Sequence, residues 1–407
     1  MIRKLLPILG ITFVDIVGFS MLIPVLPYFV THFGVSPFVV GILFATFSLC
    51  GLIAAPIWGN LSDRIGRKTV LIVSQIGATI SWAMMAFAPN IGIVFVARIL
   101  EGVSGGNISI TQAYVADVVE AKDRGRAFGL IGAMFGAGMV FGPAGGGVLF
   151  THFGFPAPFL AAAALQFLTL ILTITLLPES REKPSAEERV GMREILRCFQ
   201  RPRLAGILYQ KLALALALYG WFAVIALYLA GQLRFTLAMT DYFFSGFAAF
   251  NVFCNAVLVG RISERFGDRR MSNLGLASLA LAFCTIPFIH TTWQLAPVMM
   301  LFSFGMALAN TGIIALISNA ASDREQGTVL GTSSSLDSLS GTLAPPVSTG
   351  LLARYGPGFA GFESLLLASV ALLMGLAAAR GESPGPGEAT GTLGLASEIE
   401  VAEIADA

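Results

Sequence analysis

The sequence predicts an all-α polytopic membrane protein, with twelve transmembrane helices in two pseudo-symmetric six-helix bundles. Of the 407 residues, 56% are hydrophobic and only 12% are charged, whereas soluble domains carry about 25% charged residues. Apolar stretches of roughly 20 residues, the length that crosses a bilayer as a helix, recur along the chain between short polar segments. A charged motif in the first half also recurs in the second half. These three observations exclude a soluble enzyme.

Hydropathy places the helices in order. The predicted spans are 5–29, 38–58, 69–88, 91–115, 126–150, 156–177, 204–230, 238–260, 271–290, 294–318, 327–352 and 359–379. The opening MIRK and its apolar run imitate a signal peptide, but the run contains Asp15, Pro24 and Pro27 and lacks a small-residue cleavage site. We therefore interpret it as the first retained helix.

Basic residues predict the orientation. They are concentrated in alternate loops, around Arg64 and Arg269 and in the segment 181–203, whereas the opposite loops hold only Arg234 and Arg354. Lys and Arg are enriched in the cytoplasmic loops of membrane proteins. Both termini are therefore predicted to lie in the cytoplasm, with the protein in the inner cell membrane.

The spans group into two halves. The only long hydrophilic stretch between spans is residues 178–203, which is rich in charge and predicts a cytoplasmic linker between bundles at 1–177 and 204–380. The tail at 381–407 has no basic residue and is rich in Gly and Pro, a composition typical of disordered segments.

The halves are related by an internal repeat. GNLSDRIGRK at 59–68 aligns without gaps on GRISERFGDR at 260–269. The retained pairs are Gly59/Gly260, Asp63/Glu264, Arg64/Arg265 and Gly66/Gly267. Duplication with both copies on the same side of the membrane is typical of transporters built from two parallel repeats.

The stretch 59–68 resembles the loop-two signature of the major facilitator superfamily, and the resemblance covers residues 1–380. It implies a conformational latch between the halves during alternating access. Physically, a glycine permits a tight turn, a carboxylate suits a helix N-terminus, and arginines bridge acids. The alternative is that these charges only anchor the topology. The predicted latch comprises Gly59, Asp63, Arg64, Gly66, Arg67, Lys68, Glu264 and Arg265.

The fifth span resembles the glycine-proline pattern that antiporters of this superfamily carry. Its members are Gly138, Gly142, Pro143 and Gly146. The resemblance implies exchange of a substrate for protons, whereas the alternative is ordinary close packing of small residues. The stretches at 113–129 and 155–180 resemble the bacterial tetracycline-exporter branch, which belongs to the multidrug resistance transporters. Ser81 stands where those exporters place an acidic residue.

Ionisable residues inside the predicted spans are candidates for proton coupling, because each costs about 2.5–3.5 kcal/mol to insert. Arg98 and Glu101 lie three residues apart and can pair on one helix face. The family pattern R-x-x-x-G at Arg98 implies a role in proton transfer; the alternative is a structural ion pair. Asp15 and Asp337 lie midway along their spans, and Lys211 lies about two turns into another.

The three histidines fall in or beside the outer loops, so the central proton carrier is predicted to be a carboxylate, either Asp15 or Glu101. A substrate cavity is predicted from amphipathic side chains on the inner spans. They are Asn107, Thr111, Gln112, Trp221, Phe247, Asn251, Asn255 and Asn310.

These patterns predict a secondary transporter that exports an amphipathic, drug-like or tetracycline-like compound in exchange for protons. The alternative is an importer or uniporter for a small metabolite such as a sugar or organic anion. An enzyme is not predicted, because the chain lacks GxxxxGK[ST] and HExxH motifs. No metal, no cofactor besides the coupling proton and no nucleic-acid partner is expected. The expected functional unit is a monomer.

Overall fold

The computed structural model describes residues 2–105, 107–119, 124–179, 197–321 and 326–381, and the regular structure of these residues is helical. The helices of the first half are α1 (Ile2–His32), α2 (Pro37–Ile65), α3 (Arg67–Ala86), α4 (Ile91–Ser104), α5 (Asn107–Val118), α6 (Arg124–Phe153) and α7 (Pro156–Leu176). Those of the second half are α8 (Pro202–Leu233), α9 (Leu237–Phe253), α10 (Gly260–Thr285), α11 (Thr292–Asn319), α12 (Gln326–Tyr355) and α13 (Phe362–Gly381). A π-helical segment, Cys254–Val259, joins α9 to α10.

Local sequence explains where several helices begin. The Asn90 side chain accepts a hydrogen bond from the Ile93 backbone N at the start of α4. Thr236 caps α9 in the same way through Met239 N, and Thr291 with Gln294 forms a capping box at α11. Such caps satisfy backbone donors that have no partner within the helix. Prolines begin three more helices, at Pro37, Pro156 and Pro202.

The predicted fold class is confirmed, since the described chain is all-α and helix occupies most of the described residues of each predicted span. Nine helical stretches of the described residues are long and apolar enough to cross a membrane. One of them, 237–288, has 52 residues and is divided at Gly267, where φ is +76°. The pieces α4 and α5 have 14 and 12 residues, each shorter than a crossing. The number of spans therefore stays a prediction.

The predicted division at 1–177 and 204–380 agrees with the end of α7 at Leu176 and the start of α8 at Pro202. It nevertheless stays a prediction. Most of the predicted linker, 180–196, and the predicted tail from 382 onwards lie outside the described residues.

Each half has its own apolar core. In the first half, α1 packs against α6 and α7, and Phe29 lies 4.7 Å from Phe159 between ring centroids. In the second half, α8 packs against α12 and α13, and the Trp221 ring lies 5.6 Å from Phe283. Aromatic pairs at these separations add to the stability gained from burial.

The halves meet mainly through two helix pairs, α2 with α12 and α6 with α9, and α1 and α2 make smaller contacts with the second half. Tyr28 Oη of α1 bridges the halves, at 2.7 Å from Thr240 Oγ1 and 3.2 Å from Phe235 O. We call the end of the bundle that carries this contact the Tyr28 end. The opposite end, which carries the turns at Gly66 and Gly267, is the Gly66 end. Positive-inside asymmetry predicts that the Gly66 end is cytoplasmic.

Candidate functional site

A cavity of about 460 Å³ lies between the halves. Aromatic side chains from both halves form much of its wall, among them Phe19, Phe47, Trp82, Phe222 and Phe247. Six polar side chains also line it: Ser48 from α2, Arg98 from α4, Lys211 and Tyr219 from α8, Asn310 from α11 and Asp337 from α12. A pocket of this size, largely apolar with a few convergent polar groups, is typical of a small-molecule binding site.

Arg98, on the wall contributed by the first half, forms a buried ion pair with Glu101 of the same helix. Arg98 Nη1 lies 2.5 Å from Glu101 Oε2, and the residues are 4% and 5% exposed. The guanidinium also stacks on Phe47, with Cζ 4.5 Å from the ring centroid. The predicted pairing of these residues is therefore present, whereas their role in proton transfer stays a prediction.

Lys211 and Asp337 form a second ion pair on the wall contributed by the second half. Lys211 Nζ lies 2.8 Å from Asp337 Oδ1 and donates a hydrogen bond of 3.2 Å to Asn310 Oδ1. Lys211 is buried, whereas the Asp337 side chain is 32% exposed. Sequence reasoning noted both charges but did not predict that they pair.

Asp15 is half-buried on α1, four residues before the cavity-lining Phe19. Because positions four apart share a helix face, Asp15 lies one turn from the cavity wall, on the side of the Gly66 end. Its predicted role in proton coupling stays a prediction.

Of the other predicted cavity residues, the structure places some in the cavity wall and others away from it. Phe247 and Asn310 line the cavity, whereas Trp221 is fully buried in the second-half core. Asn251 Nδ2 bonds Ser303 O on α11, and Asn255 accepts from Thr311 of the same helix. Thr111 is buried outside the lining. The side chains of Asn107 and Gln112 lie outside the described residues.

The loop at 59–68 makes its described polar contacts within the first half. Arg67 Nε lies 3.2 Å from Asp117 Oδ2 of α5, and Arg67 Nη1 donates to Ser62 Oγ at 2.5 Å. Glu179 Oε1 accepts from the backbone N of Arg67 at 2.8 Å, so a carboxylate stabilises the positive N-terminal end of α3. Gly66 ends α2 with φ of +99° and faces the Glu179 carboxylate.

Lys68 Nζ donates to Ile174 O of α7, and Arg64 is exposed. The Asp63 side chain lies outside the described residues.

The second copy of this motif has a matching geometry. Gly267 adopts φ of +76°, as Gly66 adopts +99°. Ser263 Oγ donates to Asp268 Oδ1, and Asn319 Nδ2 donates to Asp268 Oδ2 at 3.1 Å. Asp268 thus occupies the place of Arg67 with reversed charge. Glu264 and Arg265 are exposed, and a Cβ at Gly59, Gly260 or Gly267 would meet nothing within 4 Å.

The glycines of the antiporter-like pattern lie against α1. A Cβ at Gly138 would lie 2.6 Å from Ile16 Cγ2, and one at Gly146 would lie 2.8 Å from Met21 Cγ. At Gly142 it would overlap Ser20 Oγ and lie 2.7 Å from Val17 O. Pro143, between them, lines the cavity. Close approach of the helices therefore requires glycine at these positions.

Replacing Gly142 with alanine is expected to destabilise the protein by about 1–3 kcal/mol, because the added methyl group overpacks the α1–α6 contact. Thermal unfolding in detergent measures the effect. Gly132→Ala is the matched control on the same helix, since a Cβ there meets nothing within 4 Å. Equal stability of the two variants would contradict the packing role of Gly142.

Sequence reasoning missed two carboxylates at the Tyr28 end, of which Asp241 is buried and Glu363 is half-buried. Asp241 of α9 has no exposed surface, and Glu363 of α13 accepts from Ser348 Oγ at 2.7 Å. Both lie at the edge of a predicted span, where a charge is expected to reach water. Only the helix packing shows that Asp241 is covered and that Glu363 is covered in part.

Comparisons with known proteins agree with this architecture. The family model described as Major Facilitator Superfamily matches residues 8–345 and 212–399. The tetracycline resistance protein of class C from Escherichia coli is 31% identical over 378 residues, which is 91% of this chain and 95% of that protein. The multidrug resistance protein MdtG from Salmonella arizonae is 26% identical and covers 83% of this chain and 86% of its own.

A solved structure of the nucleoside transporter NupG, 12% identical, superposes with a TM-score of 0.77 over 91% of this chain and 98% of its own. At that identity the likeness shows the fold alone. The family match spans most of the chain, and the relative from Escherichia coli is similar over nearly its whole length. The chain therefore belongs to the Major Facilitator Superfamily and is a multi-pass membrane transporter of small molecules.

Proposed function

We propose that this transporter exports an amphipathic, drug-like compound in exchange for protons by alternating access. The observation that carries the proposal is the central cavity, whose aromatic walls hold one ion pair from each half. Aromatic surface suits the apolar body of an amphipathic compound, and the ion pairs supply groups that a charged substrate or a proton engages. The relatives named as tetracycline and multidrug resistance proteins support export.

The conformation supports a cycle in which the halves rock about the cavity. Tyr28 joins the halves at one end, whereas the described contacts of Arg67 and Glu179 at the other end lie within the first half. If the Gly66 end is cytoplasmic, this arrangement corresponds to an inward-facing state with the latch released. The latch forms in the opposite state, when the Gly66 end closes.

A side chain that carries the proton must be accessible to solution on one side of the membrane and then on the other. Glu101 pairs with Arg98, which lines the cavity, and Asp15 lies one turn from the lining residue Phe19. Protonation of either carboxylate removes a negative charge beside the substrate. In this proposal, substrate and proton therefore bind in alternation, and the proton gradient drives export.

Proteoliposomes with an imposed pH gradient test the proposal. Adding amphipathic compounds, tetracycline included, is expected to cause proton movement through the wild-type protein, and Asp15→Asn is expected to reduce it by tenfold or more. Liposomes without protein and a protonophore are the controls. Downhill transport of a sugar or organic anion without proton movement would instead establish the importer or uniporter alternative.

A further inference from the structure

Asp241 is a fully buried carboxylate in the second turn of α9. It has no exposed surface, and neither of its side-chain oxygens has a hydrogen-bond partner among the described residues. Its position is at the Tyr28 end, next to Thr240, which contacts Tyr28 across the halves. Polar groups in protein interiors are almost always hydrogen-bonded, so this carboxylate requires an explanation.

The interface between the halves buries Asp241. On the first half, the backbone of α6 covers it: a Cβ at Gly147 would lie 2.8 Å from Asp241 Cβ and 3.1 Å from Oδ2. A glycine at 147 is therefore what allows α6 and α9 to close over the carboxylate. Separation of the halves at the Tyr28 end would uncover it again.

No described group around Asp241 neutralises its charge through an ion pair. The helices packed against α9 are α1, α6, α8 and α11, and α11 carries no ionisable residue. Tyr28 of α1 bonds Thr240 Oγ1 and Phe235 O, and Tyr228 of α8 bonds Ile286 O. The remaining ionisable groups of these helices at this end are His32, the exposed His152, and Arg234, which is exposed after α8.

Burying an ionised carboxylate without a partner costs several kcal/mol, which a neutral carboxylic acid avoids. We propose that Asp241 is a proton-binding site between the halves, which takes up one proton from the outer solution when the Tyr28 end closes and releases it when that end opens. The proton joins one carboxylate oxygen as an O–H group, and no other bond changes. This inference rests on the alternating access of the proposed function.

The sign of the pH effect follows from this proton balance. The closed conformation holds one proton more than the open one, so acid favours closure and alkali favours opening. One proton of difference changes the ratio of closed to open molecules by up to about tenfold per pH unit. Asp241 would thus make closure of the Tyr28 end depend on the outer pH, which forms part of the proton gradient that drives export.

Distances across the Tyr28 end test the proposal in the full-length protein in lipid nanodiscs. Spin labels at Phe153→Cys of the first half and Trp293→Cys of the second, both exposed, report opening over a pH series. The four native cysteines are replaced first. We expect wild type to approach a tenfold change in the closed-to-open ratio per pH unit, and Asp241→Asn to stay closed with less than a twofold change.

Two further variants complete the design. Glu363→Gln alters a half-buried carboxylate at this end that bonds within the second half, and it is expected to keep the wild-type pH response. Gly147→Ala, whose methyl group would meet Asp241, is expected to favour the open end at every pH.

Wild-type pH dependence in Asp241→Asn, or opening of wild type that ignores pH, would overturn the inference and leave the proposed export untouched. A Tyr28 end that stays closed at every pH and with every transported compound would overturn alternating access itself, and the inference with it.

Discussion

Replacing Glu101 with alanine is expected to destabilise the folded protein by about 3–5 kcal/mol and to abolish transport. The change leaves the Arg98 guanidinium buried without its counter-charge, and removing one partner of a buried pair costs that much. Phe47, which stacks on the guanidinium, compensates only in part. Thermal unfolding in detergent and uptake into proteoliposomes measure the two effects.

The double variant Arg98→Met with Glu101→Leu separates stability from function. Apolar residues of similar volume often replace a buried ion pair without loss of stability. We therefore expect the double variant to regain most of the wild-type melting temperature and to remain inactive in proton-coupled transport. Wild-type transport by the double variant would show that the pair is only structural, which is the alternative that the sequence left open.

The pairing of Arg98 with Glu101 was predictable, because two residues three apart on a helix share a face whatever the rest of the fold does. The fold class was predictable for a similar reason, since hydropathy and repeats are read from the chain alone. The turns at Gly66 and Gly267 also followed from the repeat. Their φ values of +99° and +76° show that both glycines adopt a conformation that other residues rarely tolerate.

The pairing of Lys211 with Asp337 was not predictable, because the two residues lie on helices far apart in sequence. The directions in which the Trp221 and Asn251 side chains face were not predictable from the sequence either. In a membrane, lipid and the protein interior are both apolar, so the pattern along a helix does not distinguish a lipid-facing side from a packed one. Trp221 belongs to the core and Asn251 bonds α11, although both residues looked suited to a cavity.

The contacts of the 59–68 loop depend on the conformation as well as on the sequence. Glu179 follows the predicted sixth span, and its carboxylate reaches the start of α3 only because α7 ends beside α3. A sequence repeat indicates that two loops are equivalent. It does not indicate in which state of the transport cycle the two loops contact each other.

We expect the second ion pair to influence which charge of substrate the cavity binds more tightly. Asp337→Asn leaves the Lys211 ammonium with Asn310 as its described partner, so the wall of the second half gains one positive charge. At about 8 Å and an effective dielectric constant of about 20, one unit charge is worth about 2 kcal/mol. We expect Asp337→Asn to bind an anionic amphipathic compound at least tenfold more tightly, and a cationic one at least tenfold more weakly.

Lys211→Met is the reciprocal variant, because it leaves the Asp337 carboxylate facing the cavity alone with Asn310 nearby. Its expected effects have the opposite sign: tighter binding of the cation and weaker binding of the anion. Titration of one cationic and one anionic fluorescent ligand of similar size into purified protein measures all four affinities. Ser338→Ala, beside Asp337 but outside the cavity lining, is the matched control and should change neither ligand.

Shifts of the same sign for both ligands in either variant would mean that the pair acts through packing rather than charge. The opposite-sign pattern would make Lys211 and Asp337 the selectivity filter for substrate charge, on the wall facing Arg98 and Glu101. A wall that presents one cation and one anion at contact distance rejects neither sign outright. Selectivity for substrate charge then depends on whether a bound compound replaces Lys211 or Asp337 in the ion pair. It also depends on whether Lys211 keeps its hydrogen bond to Asn310.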